Sequence, residues 1–166
     1  MEYNENNKVE IWGGAECSFV RVGNSVYNQL GRSGHMTRID DLDLFAGLNI
    51  KTIRYPLLWE MYAGDQAGFI RLNDLRLDHL RELGIKPIAG LLHHGSGPFS
   101  TDLSDPNFPR MLAEFAFMIA ERYPWIDLYT PVNEPLTTAR FSGLYGIWYP
   151  HQRSDRFFLR MLVNEL

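Results

Sequence analysis

The chain has 166 residues, 45% of them apolar and 22% charged, proportions that fit one globular domain with a substantial core. A net charge of −4 leaves no basic stripe to neutralise phosphates, which excludes nucleic acid as an expected partner. One cysteine, Cys17, rules out an internal disulfide framework; with no apolar leader and no run of the roughly 20 apolar residues a membrane span needs, a cytoplasmic protein without membrane contact is expected.

Residues 9–15 (Val9, Glu10, Ile11, Trp12, Gly13, Gly14, Ala15) are strand-like and end in small residues that allow close backbone approach. A loop rich in Gly, Asn and Ser follows. Thr37 then offers an N-cap for a helix with Asp40 and Asp41 in its first turn and Ile39, Leu42, Phe45 and Ala46 on one face, ending near Gly47 or Asn49. Residues 51–59 make a second strand in which Pro56 marks an end or a bulge. A second helix is expected after Asn73, carrying Leu75, Leu77, Leu80 and Leu83 up to Gly84. Residues 86–93 form a third strand, apolar enough to be covered on both faces. The third helix is expected from about Phe108 to Tyr123, the fourth strand over residues 127–132, and a last helix from Asp155 to Leu166 with Ser154 as cap.

This alternation predicts an α/β fold with a parallel sheet and helices outside it. Spacing alone leaves a barrel and an open doubly wound sheet equally available. No G-x-G-x-x-G opens the first helix, so dinucleotide binding has no support and no cofactor is expected.

In parallel α/β folds the reactive side chains gather at the carboxyl ends of the strands. Those ends present Glu16 and Cys17, Trp59 and Glu60, His93 and His94, and Asn133 and Glu134. Pro135 biases Glu134 towards an extended backbone that aims its carboxyl out of the sheet top. Glycosidic cleavage needs one carboxylic acid to protonate the leaving oxygen and a second carboxylate across the sugar. Glu134 among aromatics suits the acid role, although a solvated strand-end carboxylate would look the same in sequence. Residues alternate in direction along a strand, so His93 and His94 should point apart; that argues against a shared metal ion, and no metal is expected. Trp59 and Trp148 serve equally as packing or as sugar platforms, and Arg54 equally as a structural partner of a carboxylate.

Four motifs in chain order resemble those of family 1 glycoside hydrolases. Trp12-Gly13-Gly14-Ala15 resembles that family's W-G-x-A first strand, and Arg54 to Trp59 its R-F-S-x-x-W second strand. Gly84-Ile85-Lys86-Pro87 through Leu91-Leu92-His93 resembles its third strand. Thr130 with Asn133-Glu134-Pro135 resembles its T-x-N-E-P element, with one extra residue before the Asn. The resemblance implies a TIM (β/α)8 barrel, of which residues 1–166 would be the N-terminal half with the first four β/α units. It also implies retaining hydrolysis of O-glycosyl bonds of the β-glucosidase type, with Glu134 as acid/base and Arg54, His93 and Asn133 in the sugar subsite, while Trp59 and Glu16 are further substrate-binding candidates at strand ends. The phrases His93-His94-Gly95-Ser96-Gly97-Pro98 and Asn133 to Arg140 further resemble glycosidase-like domains that precede a dTDP-4-dehydrorhamnose reductase domain.

Three departures qualify the expected activity. Val20 stands where the family has a sugar-binding Gln, and His94 where it has Trp. The family's nucleophile belongs to a seventh strand, which four β/α units lack; Glu16 and Glu60 are candidate substitutes. Expected partners are therefore a carbohydrate substrate together with a second half-barrel, a homodimer mate or a fused sugar-nucleotide reductase domain. The alternative reading is a catalytically inactive sugar-binding or structural module attached to such a reductase.

Overall fold

The computed structural model describes residues 9–15 and 17–166. Strand β1 (Trp12–Gly14) pairs in parallel with β4 (Thr52–Pro56), β4 with β5 (Lys86–His93), and β5 with β6 (Leu128–Asn133), giving one sheet in the order β1-β4-β5-β6. Sequential neighbours in a parallel sheet require a crossover each time, and helices supply them. Those helices are α2 (Asp41–Gly47), α3 (Trp59–Gly64) with α4 (Gln66–Glu82), and α5 (Phe108–Arg122). The chain continues through α6 (Pro135–Ala139), a π turn (Arg140–Leu144) and α7 (Asp155–Glu165).

The third strand and the last helix follow the sequence closely. β5 is buried over its six residues from Pro87 to Leu92, as expected for a strand covered on both faces. Ser154 caps α7 by accepting from the Phe157 N–H. The core joins Ile53, Tyr55, Ala89, Leu91 and Leu92 of the two central strands to Leu42, Leu77, Leu80, Leu112, Phe115 and Ile119 of the helices. Each Leu, Ile and Phe among these removes a side chain worth about 1.5–3 kcal/mol from water.

Other boundaries differ. The second main helix starts at Gln66 rather than after Asn73, because Asp65 caps it by accepting from the Gly68 N–H at 2.9 Å. Asn73 is buried inside that helix and donates to the Phe69 carbonyl at 2.8 Å. The second strand stops at Pro56, and Trp59 opens α3. The Gly- and Asn-rich loop contains an antiparallel hairpin, β2 (Phe19–Val22) and β3 (Ser25–Asn28), turned by Gly23 and Asn24 with Gly23 at φ 56°. A short helix, α1 (Gln29–Arg32), follows it with Asn28 as cap. No helix among the described residues is long and apolar enough to cross a membrane.

Candidate active site

Three expected residues meet at the carboxyl edge of the sheet. Arg54 lies within β4, while His93 and Asn133 are the paired last residues of β5 and β6. The Arg54 guanidinium donates to Asn133 Oδ1 at 2.7 Å. Arginine has no acceptor, so this bond fixes the amide: Oδ1 faces Arg54 and Nδ2 faces the imidazoles. Nδ2 lies 3.4 Å from His93 Nε2 and 3.2 Å from His94 Nε2, one hydrogen for each ring. In the neutral rings both Nε2 atoms are therefore acceptors, and the His94 proton sits on Nδ1, which donates to Ser18 Oγ at 2.9 Å.

Glu134 lies beside this chain, with Oε2 3.4 Å from His94 Nε2, a contact that is an ion pair only when that ring is protonated. Its side chain is 58% exposed, open to a ligand rather than committed to the core. The backbone at Glu134 is left-handed (φ 50°, ψ 62°), not extended as the following proline led us to expect. Pro135 disfavours the right-handed helical region for its predecessor, but an extended N-cap, as at Asp65 and Ser154, would also let Pro135 begin α6, so the proline alone does not account for the left-handed turn. The position costs of order 1 kcal/mol for a residue with a Cβ.

His94 is left-handed as well, at φ 60°. That corrects the argument from alternation: His94 lies beyond the strand, and its ring turns back to 4.4 Å from the His93 ring. The sequence marks His94 as a strand-end residue and a departure from the family's Trp; in the structure it bonds Ser18 and Asn133, stands 3.4 Å from Glu134 and packs against Trp148 at 5.1 Å. Trp148 in turn lies 4.7 Å from Phe141 of the π turn. A strand-end residue followed by Gly95 was the available signal for a turned backbone. Among the described residues no group of three His, Cys, Asp or Glu is arranged to hold a metal ion.

The other expected residues are elsewhere. Trp59 is 5% exposed, stacked on Phe115 and edge-on to Phe108, so the core covers its ring. Glu16 lies outside the described residues. Glu60 is buried behind the loop after β5, with Oε1 accepting from the Gly97 N–H at 3.1 Å. Burial pushes its carboxyl up to about 7.

A parallel sheet in sequential order, with its polar cluster at the carboxyl edge, defines a partial (β/α)8 barrel with a glycoside hydrolase-like fold. The chain is similar to a β-glucosidase from Thermotoga maritima solved with cyclophellitol (TM-score 0.70, 23% identity), which it matches over 79% of this chain and 32% of that one. It is also similar to the Thermotoga maritima family 1 glycoside hydrolase complexed with a cyclophellitol analogue (TM-score 0.71, 23% identity) and to the AHE enzyme from Alicyclobacillus herbarius (TM-score 0.71, 22% identity), with the same coverage. The chain spans about a third of the length of these structures. No family model and no curated protein sequence matches it.

Proposed function

We propose that this chain is the sugar-binding and acid/base-bearing part of a β-glucosidase-like hydrolase, with Arg54, His93 and Asn133 holding a glycoside and Glu134 protonating its leaving oxygen. The observation that carries this reading is the hydrogen-bonded chain Arg54–Asn133–His94 at the strand tips with the Glu134 carboxyl 3.4 Å from His94 Nε2, within a fold shared with β-glucosidases. Asn133 is the pivot, because both its amide atoms are committed by neighbours and its orientation is fixed before any sugar arrives.

In the proposed reaction the Glu134 carboxyl gives its proton to the glycosidic oxygen as the C–O bond breaks. A second carboxylate attacks the anomeric carbon to form a glycosyl ester, and Glu134, now a base, takes a proton from the water that hydrolyses it. Glu60 does not fit the second role, since it is buried behind Gly97. That carboxylate would come from a complementary half, whether another segment, a second copy or a fused domain.

The test combines calorimetry with methyl β-glucoside and hydrolysis of an aryl β-glucoside. Saturable sugar binding that is lost in Arg54→Ala is expected of the chain, and hydrolysis, assayed on the assembly that includes the complementary carboxylate, should fall about 100-fold or more in Glu134→Gln. Binding with equal, negligible rates in both proteins would favour the inactive sugar-binding module. The exposure of Glu134 and the burial of Glu60 support that second reading. No sugar affinity at all would leave a structural module, such as one attached to a sugar-nucleotide reductase.

A further inference from the structure

A cavity of about 210 Å³ lies where the turn of the β2–β3 hairpin meets the loops that follow β5 and β6. Asn24, Ser25 and Val26 line it from the hairpin, Phe99 from the loop after β5, and Tyr149 from the stretch before α7. Arg21 of β2 completes the wall and is its one charged residue; no Asp or Glu belongs to it. The space is smaller than the ~300 Å³ at which drug-sized sites begin, and suits one ring with a small substituent.

The Arg21 guanidinium stands 3.6 Å from the centre of the Tyr149 ring and 4.9 Å from that of Phe99, and both of those residues line the cavity with it. Stacking uses the face of a guanidinium, whereas its five N–H groups lie in the plane and leave from the edge. One of them meets the Thr101 carbonyl at a long 3.4 Å, and the Tyr149 hydroxyl acts on the group as well. Donors remain at the edge for a further acceptor. The acidic groups that act on Arg21, Glu60 and Asp102, do so through space, without an ion pair. Burial is the largest influence and pulls the guanidinium below its ordinary value, so its charge is only partly compensated. Tyr149 is fixed beneath it. Its N–H donates to the Arg21 carbonyl at 2.9 Å, and its own carbonyl accepts from the Ser96 hydroxyl at 2.6 Å.

We propose that this cavity binds a small aryl carboxylate, whose carboxylate accepts from the edge of the Arg21 guanidinium while its ring packs against Phe99 and Val26. A carboxylate matches the fork of parallel N–H groups that arginine presents, and a charge-assisted bond of this kind is among the stronger hydrogen bonds. An inorganic anion would leave the apolar wall unused, and a neutral arene would leave the cation without its counter-charge. Phe99 is 70% exposed, so its ring is open to a partner. The site goes beyond the glycoside reading and does not rest on it.

The probe is benzoate, titrated at low salt and pH 6 beside its neutral isostere benzamide, with binding read from nitrogen–proton NMR spectra of the chain. At that pH benzoate is ionised and Glu60, raised to about 7, is largely protonated. Saturable shifts of the Arg21 side-chain Nε–H and of the Asn24 and Ser25 amides are expected, with benzoate about five-fold or more tighter than benzamide. Arg21→Gln should close that gap, and thermal melting checks that it folds. Phe99→Ala, at an exposed position, should weaken both probes about two-fold or more and serves as the second variant. Equal affinity for the two probes, undiminished benzoate binding in Arg21→Gln, or no saturable shift would each overturn the proposal. Benzoate drawn instead to Arg54 would move the His93 and Asn133 amides and would overturn it too. Sugar binding is titrated separately, so neither result decides the other.

Discussion

Both carboxyl oxygens of Glu165 are buried without a hydrogen-bond partner, and burial pushes the group up to about 9. In the unfolded chain it titrates at its ordinary value of 4.5. Between those values the folded state holds a proton the unfolded state has lost, so stability falls as pH rises across the window, at about 1.4 kcal/mol per unit at most. Glu60 adds a slope of the same sign that ends at about 7. Glu165→Gln, neutral at every pH, should match the native chain near pH 4.5 and exceed its stability increasingly towards pH 9. Urea midpoints measured across that range check it; parallel curves for the two proteins would show that Glu165 is solvated after all. The residues of the site show the same dependence on surroundings. His93 and Asn133 could be found in the sequence because strand ends converge in any parallel sheet, whereas Arg54, inside β4, was legible only through the family resemblance. The place of His94 could not, because alternation along a strand says nothing once the backbone passes into the left-handed region. Trp59 and Trp148, equal candidates in the sequence, separate in the structure: β4 stops at Pro56 so that Trp59 opens α3 inside the core, while Trp148 packs on His94.

At the level of elements, periodicity located β5, α5 and α7 within a residue or two at each end, because each carries an uninterrupted apolar pattern. The start of α4 and the β2–β3 hairpin were hidden by Gly and polar residues that read as loop, although Asp65 and the Gly23–Asn24 pair are a cap and a turn in form. The π turn had no signature at all, since an extra residue in a helical turn is fixed by packing rather than by propensity. Its packing can be tested. A Cβ on Gly143 would lie 2.8 Å from the backbone N and Cα of Phe158 and 2.9 Å from Met161 Sδ, so α7 itself would have to move. Gly143→Ala should cost about 1–3 kcal/mol and lower Tm by roughly 2–10 °C. Gly47→Ala, with nothing within 4 Å of the added carbon, is the control and should be neutral or slightly stabilising. Equal melting of the two variants would mean that the π turn and α7 are not in firm contact.

For the whole molecule, the controlling feature is that the sheet does not close. β1 and β6 each pair on one side only among the described residues, whereas a (β/α)8 barrel has no free edge. β6 carries Pro131 near its middle, which removes one donor from that edge but leaves the other amides. A two-fold axis along the barrel axis would place β6 of one copy beside β1 of another with all strands still parallel, closing both edges at once. A complementary segment of another polypeptide would do the same. The two-fold arrangement predicts that the chain by itself self-associates with rising concentration. Amide exchange should then slow in β1 and β6 as association proceeds, while β4 and β5, paired on both sides, stay protected throughout. Sedimentation velocity from micromolar to hundred-micromolar concentrations, with exchange read at both ends of the range, measures the two together. A monomer at every concentration, with β6 amides as slow as those of β5, would mean that the open sheet is self-sufficient and that its edges recruit nothing.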